Sequence, residues 1–181
     1  MKRYISILRG INVGGLRQIK MDPLKSLYEK LAFHDVETYI RSGNVLFSTV
    51  KKDTRELERL IEAEILRQFG FEVPVLVLSG EELEKVFREN PFLVKQNVDI
   101  NCLHVTLLAD RPEQKLIDDL SGFGSNGDEF VIVGKSVYLF CPNGYGRTKL
   151  TNTFFERKLK TRATTRNWKT IGKLLALSAE K

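Results

Sequence analysis

Cysteine is scarce in this chain of 181 residues: Cys102 and Cys141 are the whole supply. Two thiols cannot build a disulfide framework, and no His or Cys stands at a zinc-holding spacing, which excludes a stapled secreted scaffold and a structural metal site. No metal and no cofactor is expected. His34 and His104 are the only histidines and lie far apart, with no Ser or Cys motif beside either, so a nucleophile-base pair is not supported. Apolar runs are short. None reaches the ~20 residues of a membrane helix, and Arg9 interrupts YISIL too early for a secretory leader, so no membrane partner is expected and the cytoplasm is the expected compartment. The glycine-rich stretches lack both Gly-Lys-Ser/Thr and G-x-G-x-x-G, which excludes a P-loop and a dinucleotide fingerprint.

What is present is charge, unevenly placed. The formal net charge is +6, yet from Arg147 onward ten Lys or Arg stand against Glu156 and Glu180, giving +8. The preceding 146 residues carry 19 basic and 21 acidic side chains, a net −2. Such asymmetry points to an anionic partner.

The elements read in a definite order. Tyr4 to Leu8 forms a strand; Asp22 with Pro23 opens a helix whose apolar stripe is Leu24, Leu27, Tyr28 and Leu31, with His34 at its C-terminal end. Val36–Ile40 and Asn44–Val50 read as a hairpin, Asp53 with Glu56 as a capping box before a second helix, and Val73–Leu78 as a closing strand. The order β-α-β-β-α-β is ferredoxin-like. Ser79 and Glu82 cap a further helix, and NPFLVKQNVD makes an irregular link. The pattern then restarts: a strand at Leu103–Leu108, a helix at Pro112–Leu120, a hairpin of Phe130–Val133 and Val137–Phe140 turning at Gly134 and Lys135, a helix at Thr151–Leu159, a short strand near Ala163–Thr165, and a last helix capped by Asn167. The fold class is therefore α+β with two tandem ferredoxin-like modules, residues 1–79 and 102–181, joined by a helix and link over 80–101.

In such a module the end of strand one, the end of strand two and the start of strand three share one edge of the sheet. RGINVGG and RSGN must then meet, bringing Arg9, Gly10, Asn12, Gly14, Gly15, Arg41, Ser42 and Asn44 together as a candidate pocket for an anion or a polar small molecule. Turn geometry alone also accounts for Asn and Gly there. A second candidate is NGYGRTKLT, where Arg147 and Lys149 precede a helix start, a place suited to phosphate. The stretch TRATTRNWKT adds Arg166 and Asn167, while Trp168, Ile171 and Leu175 share one helix face, so Trp168 is expected to pack that helix on the second sheet. Arg157, Lys158, Lys160, Arg162, Arg166 and Lys169 form either a phosphate-contacting patch or a solvated face. Tyr138 and Phe140 lack the pattern of an RNA-stacking sheet.

LRGINVGG (8–15), TYIRSGNVLF (38–47), GYGRTKLTNTFFERKL (144–159) and ATTRNWKT (163–170) closely resemble the bacterial family known as domain of unknown function number sixteen ninety-seven. The resemblance implies two tandem ferredoxin-like modules and no settled activity. Its motif residues fall here on Arg9, Gly10, Asn12, Gly14, Gly15, Ser42, Gly43, Asn44, Lys149, Glu156, Thr165, Arg166, Asn167 and Trp168, and it assigns none of them a catalytic role.

The expected function is binding of an anionic ligand, whether nucleotide, phosphorylated metabolite or nucleic acid, by the Gly/Asn/Arg loops and the basic C-terminal region. Two other readings stand beside it. One is an enzyme with its pocket at RGINVGG and RSGN; the other makes the motifs structural, with Asn and Arg satisfying buried carbonyls at the seam between modules.

Overall fold

The computed structural model describes residues 1–94, 97–124 and 127–179. Lys95 and Gln96 of the expected link, and Glu180 and Lys181 of the basic tail, lie outside the described residues. Two compact units are present, one of residues 1–84 with 174–181, the other of residues 85–173.

In the first unit β1 (Lys2–Leu8), β2 (His34–Tyr39), β3 (Asn44–Thr49) and β4 (Val75–Ser79) form an antiparallel sheet in the order β2-β3-β1-β4. Ile7 pairs with Asn44 and Leu8 with Val75, so the loop after β1, the turn before β3 and the start of β4 share one edge. The helices α1 (Met21–Lys30) and α2 (Thr54–Phe69) cover one face. Alternation selects that face: Tyr4, Leu8, Val45, Phe47, Val75 and Val77 pack with Leu24, Leu27, Tyr28, Leu57, Ile61 and Ile65 in one apolar core. Ser6 joins this face, and its hydroxyl lies 2.6 Å from the buried Tyr28 hydroxyl, so each satisfies the other.

The helix caps are local and mostly as read from sequence. Asp53 accepts the Arg55 and Glu56 amides at the start of α2. Ser79 and Glu82 form a reciprocal box at the start of α3 (Gly80–Arg88): the Ser79 N–H donates to Glu82 Oε2 at 2.8 Å and the Glu82 N–H to Ser79 Oγ at 3.2 Å. Two readings are corrected. Lys20, not Asp22, is the N-cap of α1, and Asp22 sits in the first turn, where a carboxylate favours the helix dipole. His34 begins β2 and does not end α1, because Ala32 takes φ +58 and reverses the chain.

In the second unit β5 (Leu103–Leu108), β6 (Glu129–Val133), β7 (Ser136–Phe140) and β8 (Ala163–Asn167) form a second antiparallel sheet in the order β6-β7-β5-β8. The short α4 (Gln114–Asp118) and α5 (Asn152–Leu159) belong to this unit, and Leu120, Leu139, Leu150, Phe155 and Leu159 are central to its core. The last helix, α6 (Trp168–Ala179), starts where Asn167 Oδ1 accepts the Thr170 N–H at 2.8 Å. Trp168 is buried, stacked on Phe87 at 5.0 Å between ring centroids and edge-on to Tyr138 of β7. It is a packing anchor.

Candidate functional site

At the edge of the first sheet the two loops meet through one side chain. Asn12, itself at φ +57, donates from Nδ2 to Ile19 O at 2.9 Å and to Arg41 O at 2.7 Å, while its Oδ1 accepts the Ile19 N–H at 2.9 Å. Both amide hydrogens and the amide oxygen are engaged with backbone, so Asn12 acts as a clasp. Asn44 is fully buried, and its Nδ2 reaches Tyr39 O and Ser42 Oγ at 3.1 Å each. Gly43 allows the close approach: at φ +83, a Cβ there would stand 2.8 Å from Ile11 Cδ1 and from Leu8 Cβ. Arg9 is half-buried and its N–H donates to Pro74 O, whereas Arg41, Gly10, Gly14 and Gly15 are exposed. These two loops carry no carboxylate or imidazole.

The second unit gathers the other motifs. Thr165 Oγ1 is a hub, 2.7 Å from Thr106 Oγ1, 2.6 Å from Asn152 Oδ1, and accepting from Tyr145 Oη at 3.1 Å. This ties GYGRTKLTN to TTRN and fixes Tyr145, whose ring stacks on His104 at 4.9 Å. Burial holds the His104 imidazole below its ordinary value, which keeps it neutral at pH 7. Glu156 Oε1 accepts the Ala163 N–H at 3.1 Å, fastening α5 to β8. Arg166 bonds along its own strand, to Thr164 Oγ1 and Thr165 O, and burial lowers its guanidinium to about 10, still cationic at neutrality.

Beside this network lies an open cleft of about 560 Å³, lined by Phe123, Gly124, Lys149, Leu150, Thr151, Thr153, Phe154 and Arg157. Its floor is set by local bonding. Thr148 is buried, donates to Asp128 Oδ2 at 2.6 Å and accepts the Leu150 N–H at 3.1 Å, which directs the chain into α5. Thr151 caps that helix, its Oγ1 accepting the Phe154 N–H at 3.2 Å. Phe123 and Phe154 lie 5.5 Å apart, tilted by 54°, and Lys158 Nζ sits 4.8 Å over the Phe123 ring. The lining therefore combines two cations, two hydroxyls and two aromatic rings with no carboxylate.

The structure thus brings Arg9, Gly10, Asn12, Arg41, Ser42 and Asn44 to one edge of the first sheet, with Gly14 and Gly15 at the tip of the loop. Arg147, Lys149, Arg166 and Asn167 belong to the second unit, and of these Lys149 lines the cleft. Arg147 is exposed in the turn Tyr145–Arg147, and Asn167 caps α6. Sequence reasoning placed Arg157 in a basic patch and passed over Phe123 and Phe154. Phe123 sits between two glycines in a loop with no periodicity to mark it, so only the fold pairs it with α5.

Two four-stranded antiparallel sheets with helices, and a cation-lined cleft at the start of a helix, define an α+β protein with a ligand-sized recess. The chain belongs to the family described as protein of unknown function (DUF1697), whose model matches residues 1–138. The motifs at 144–159 and 163–170 lie beyond the matched stretch. A solved structure, that of the conserved bacterial protein SP0830 from Streptococcus pneumoniae, is similar over 98% of each chain at 23% identity, with a TM-score of 0.73. At that identity the likeness is one of fold. No curated protein matches the chain.

Proposed function

We propose that this protein binds a small anionic ligand with a flat or apolar body in the cleft of its second unit. The observation that carries the reading is the lining itself: Lys149 and Arg157 with Phe123 and Phe154, without a carboxylate, around a recess whose volume falls within the roughly 300–1,000 Å³ range of ligand pockets. The first-turn N–H groups of α5 have no partner inside the helix, apart from the one Thr151 caps, and they add to the preference for negative charge. A nucleotide or a phosphorylated aromatic metabolite has the matching chemistry. As part of this reading, each unit is a ferredoxin-like module, supported by the strand orders β2-β3-β1-β4 and β6-β7-β5-β8, and the protein works in the cytoplasm, where its two free thiols stay reduced.

The test is a thermal-shift screen against nucleotides and sugar phosphates. A ligand held by the folded state raises the melting temperature by mass action, and that rise is expected to vanish in Lys149→Ala and Arg157→Ala. No rise with any of these anions, or a rise that both variants keep, would sink the reading.

A structural reading is favoured for the first-unit loops by the bonding of Asn12 and Asn44. Their amides hold backbone within one unit and leave no hydrogen of Asn12 for a ligand.

A further inference from the structure

The first unit carries a surface feature that the clasp explains only in part. From Arg9 to Lys20, and from Tyr39 to Val50, the sequence has no carboxylate. The structure joins these segments: Asn12 Nδ2 donates to Arg41 O at 2.7 Å, and just before the first of them the Leu8 N–H donates to Gly43 O at 2.8 Å. The first of them folds into a projecting hairpin tip. Val13 and Leu16 form an isolated antiparallel bridge, closed by the Leu16 N–H on Val13 O at 3.1 Å, around Gly14 and Gly15 at φ +59 and +78. Consecutive positive φ values give such a turn the twist of a two-residue hairpin. Space around it is open. A Cβ at Gly14 or Gly15 would meet nothing within 4 Å, and Val13 and Leu16 are 66% and 72% exposed.

The neighbouring turn adds an outlier. Ile40 is exposed and stands at φ +50, a conformation that β-branched residues rarely adopt and that persists only where the surroundings impose it. Here Asn12 fixes the carbonyl of the very next residue. Around the tip, Arg17, Lys20 and Arg41 are all exposed, and none takes part in an ion pair among the described residues. Arg17 lies over Gly10, its guanidinium 3.6 Å from where a Cβ would be.

We propose that this hairpin and the Arg41 turn form a contact surface for duplex nucleic acid, with the tip entering a groove and the three cations meeting the phosphates that border it. A two-stranded ribbon fits the major groove of B-form DNA, aliphatic side chains suit the thymine methyl and sugar surfaces there, and exposed glycine backbone allows phosphate to approach. Single strands call for a platform of stacking aromatics, and these segments offer only a half-buried Tyr39, Phe47 being buried. This surface belongs to the first unit and the cleft to the second, and the proposal does not rest on ligand binding in the cleft.

The experiment is fluorescence anisotropy of a short labelled DNA duplex with the full chain over a series of salt concentrations. Three phosphate contacts give a slope of log K against log salt of about −2.7, and Arg17→Ala and Arg41→Ala are each expected to flatten it by about 0.9. Val13→Ser with Leu16→Ser is expected to weaken binding at an unchanged slope. Because these side chains are exposed, the melting temperatures of all variants are expected to match the parent's, which shows they fold. No binding at low salt overturns the proposal. So does a slope that neither arginine changes, or tighter binding to single strands or to anionic phospholipid vesicles than to the duplex.

Discussion

Asn12 shows how one side chain can set a local structure. Removing its amide in Asn12→Ala leaves the Ile19 and Arg41 carbonyls and the Ile19 N–H to find other partners, a loss on the order of 3 kcal/mol at typical hydrogen-bond costs. Urea denaturation is expected to show it as a lower midpoint at unchanged slope. Gly43→Ala adds a Cβ into Ile11 and Leu8 and a strained positive φ, with an expected cost of roughly 2–4 kcal/mol. His104 gives a pH signature. Its folded pKa is below the ordinary imidazole value of 6.5, so as pH falls the unfolded chain takes up the proton first. Stability from this group is full above that value and lost as pH drops through the folded pKa. Denaturation at pH 5 and pH 7 is expected to show a larger loss in the parent than in His104→Gln; equal losses would remove His104 as the cause.

At the scale of elements, what was legible in the sequence was local. Ser79 with Glu82, Asp53 and Asn167 were read as caps, because a cap is written within three residues of the amide it accepts, whereas Thr151, read as the first helical residue, is the cap of α5. Ser79→Ala is expected to cost about 1 kcal/mol through the loss of that cap, measured by thermal unfolding. The start of α1 and the place of His34 were misread, since Asp22 with Pro23 imitates a cap and nothing in the letters marks Ala32 as left-handed. The meeting of RGINVGG with RSGN followed from strand order, whereas the bonding of Asn12 did not. The cleft was half legible: Lys149 stood out beside a helix start, but Phe123, which also lines it, comes from a distant loop.

For the whole molecule, the excess positive charge of the tail turns out to be divided among different tasks. Arg157 lines the cleft, Lys158 covers Phe123, Arg166 braces its own strand, and Lys169 lies close enough to Asp99 to lower that carboxyl further, after the Asn101 hydrogen bonds. A count of charges therefore pointed to an anion without saying which cations would meet it. The most direct measurement of the central claim is an amide-resolved NMR titration with a nucleoside monophosphate. The expected result is saturable shifts at Gly124, Lys149 and Thr151 to Phe154 that disappear in Arg157→Ala. Shifts absent from these amides, or unchanged by Arg157→Ala, would contradict a binding cleft at the start of α5.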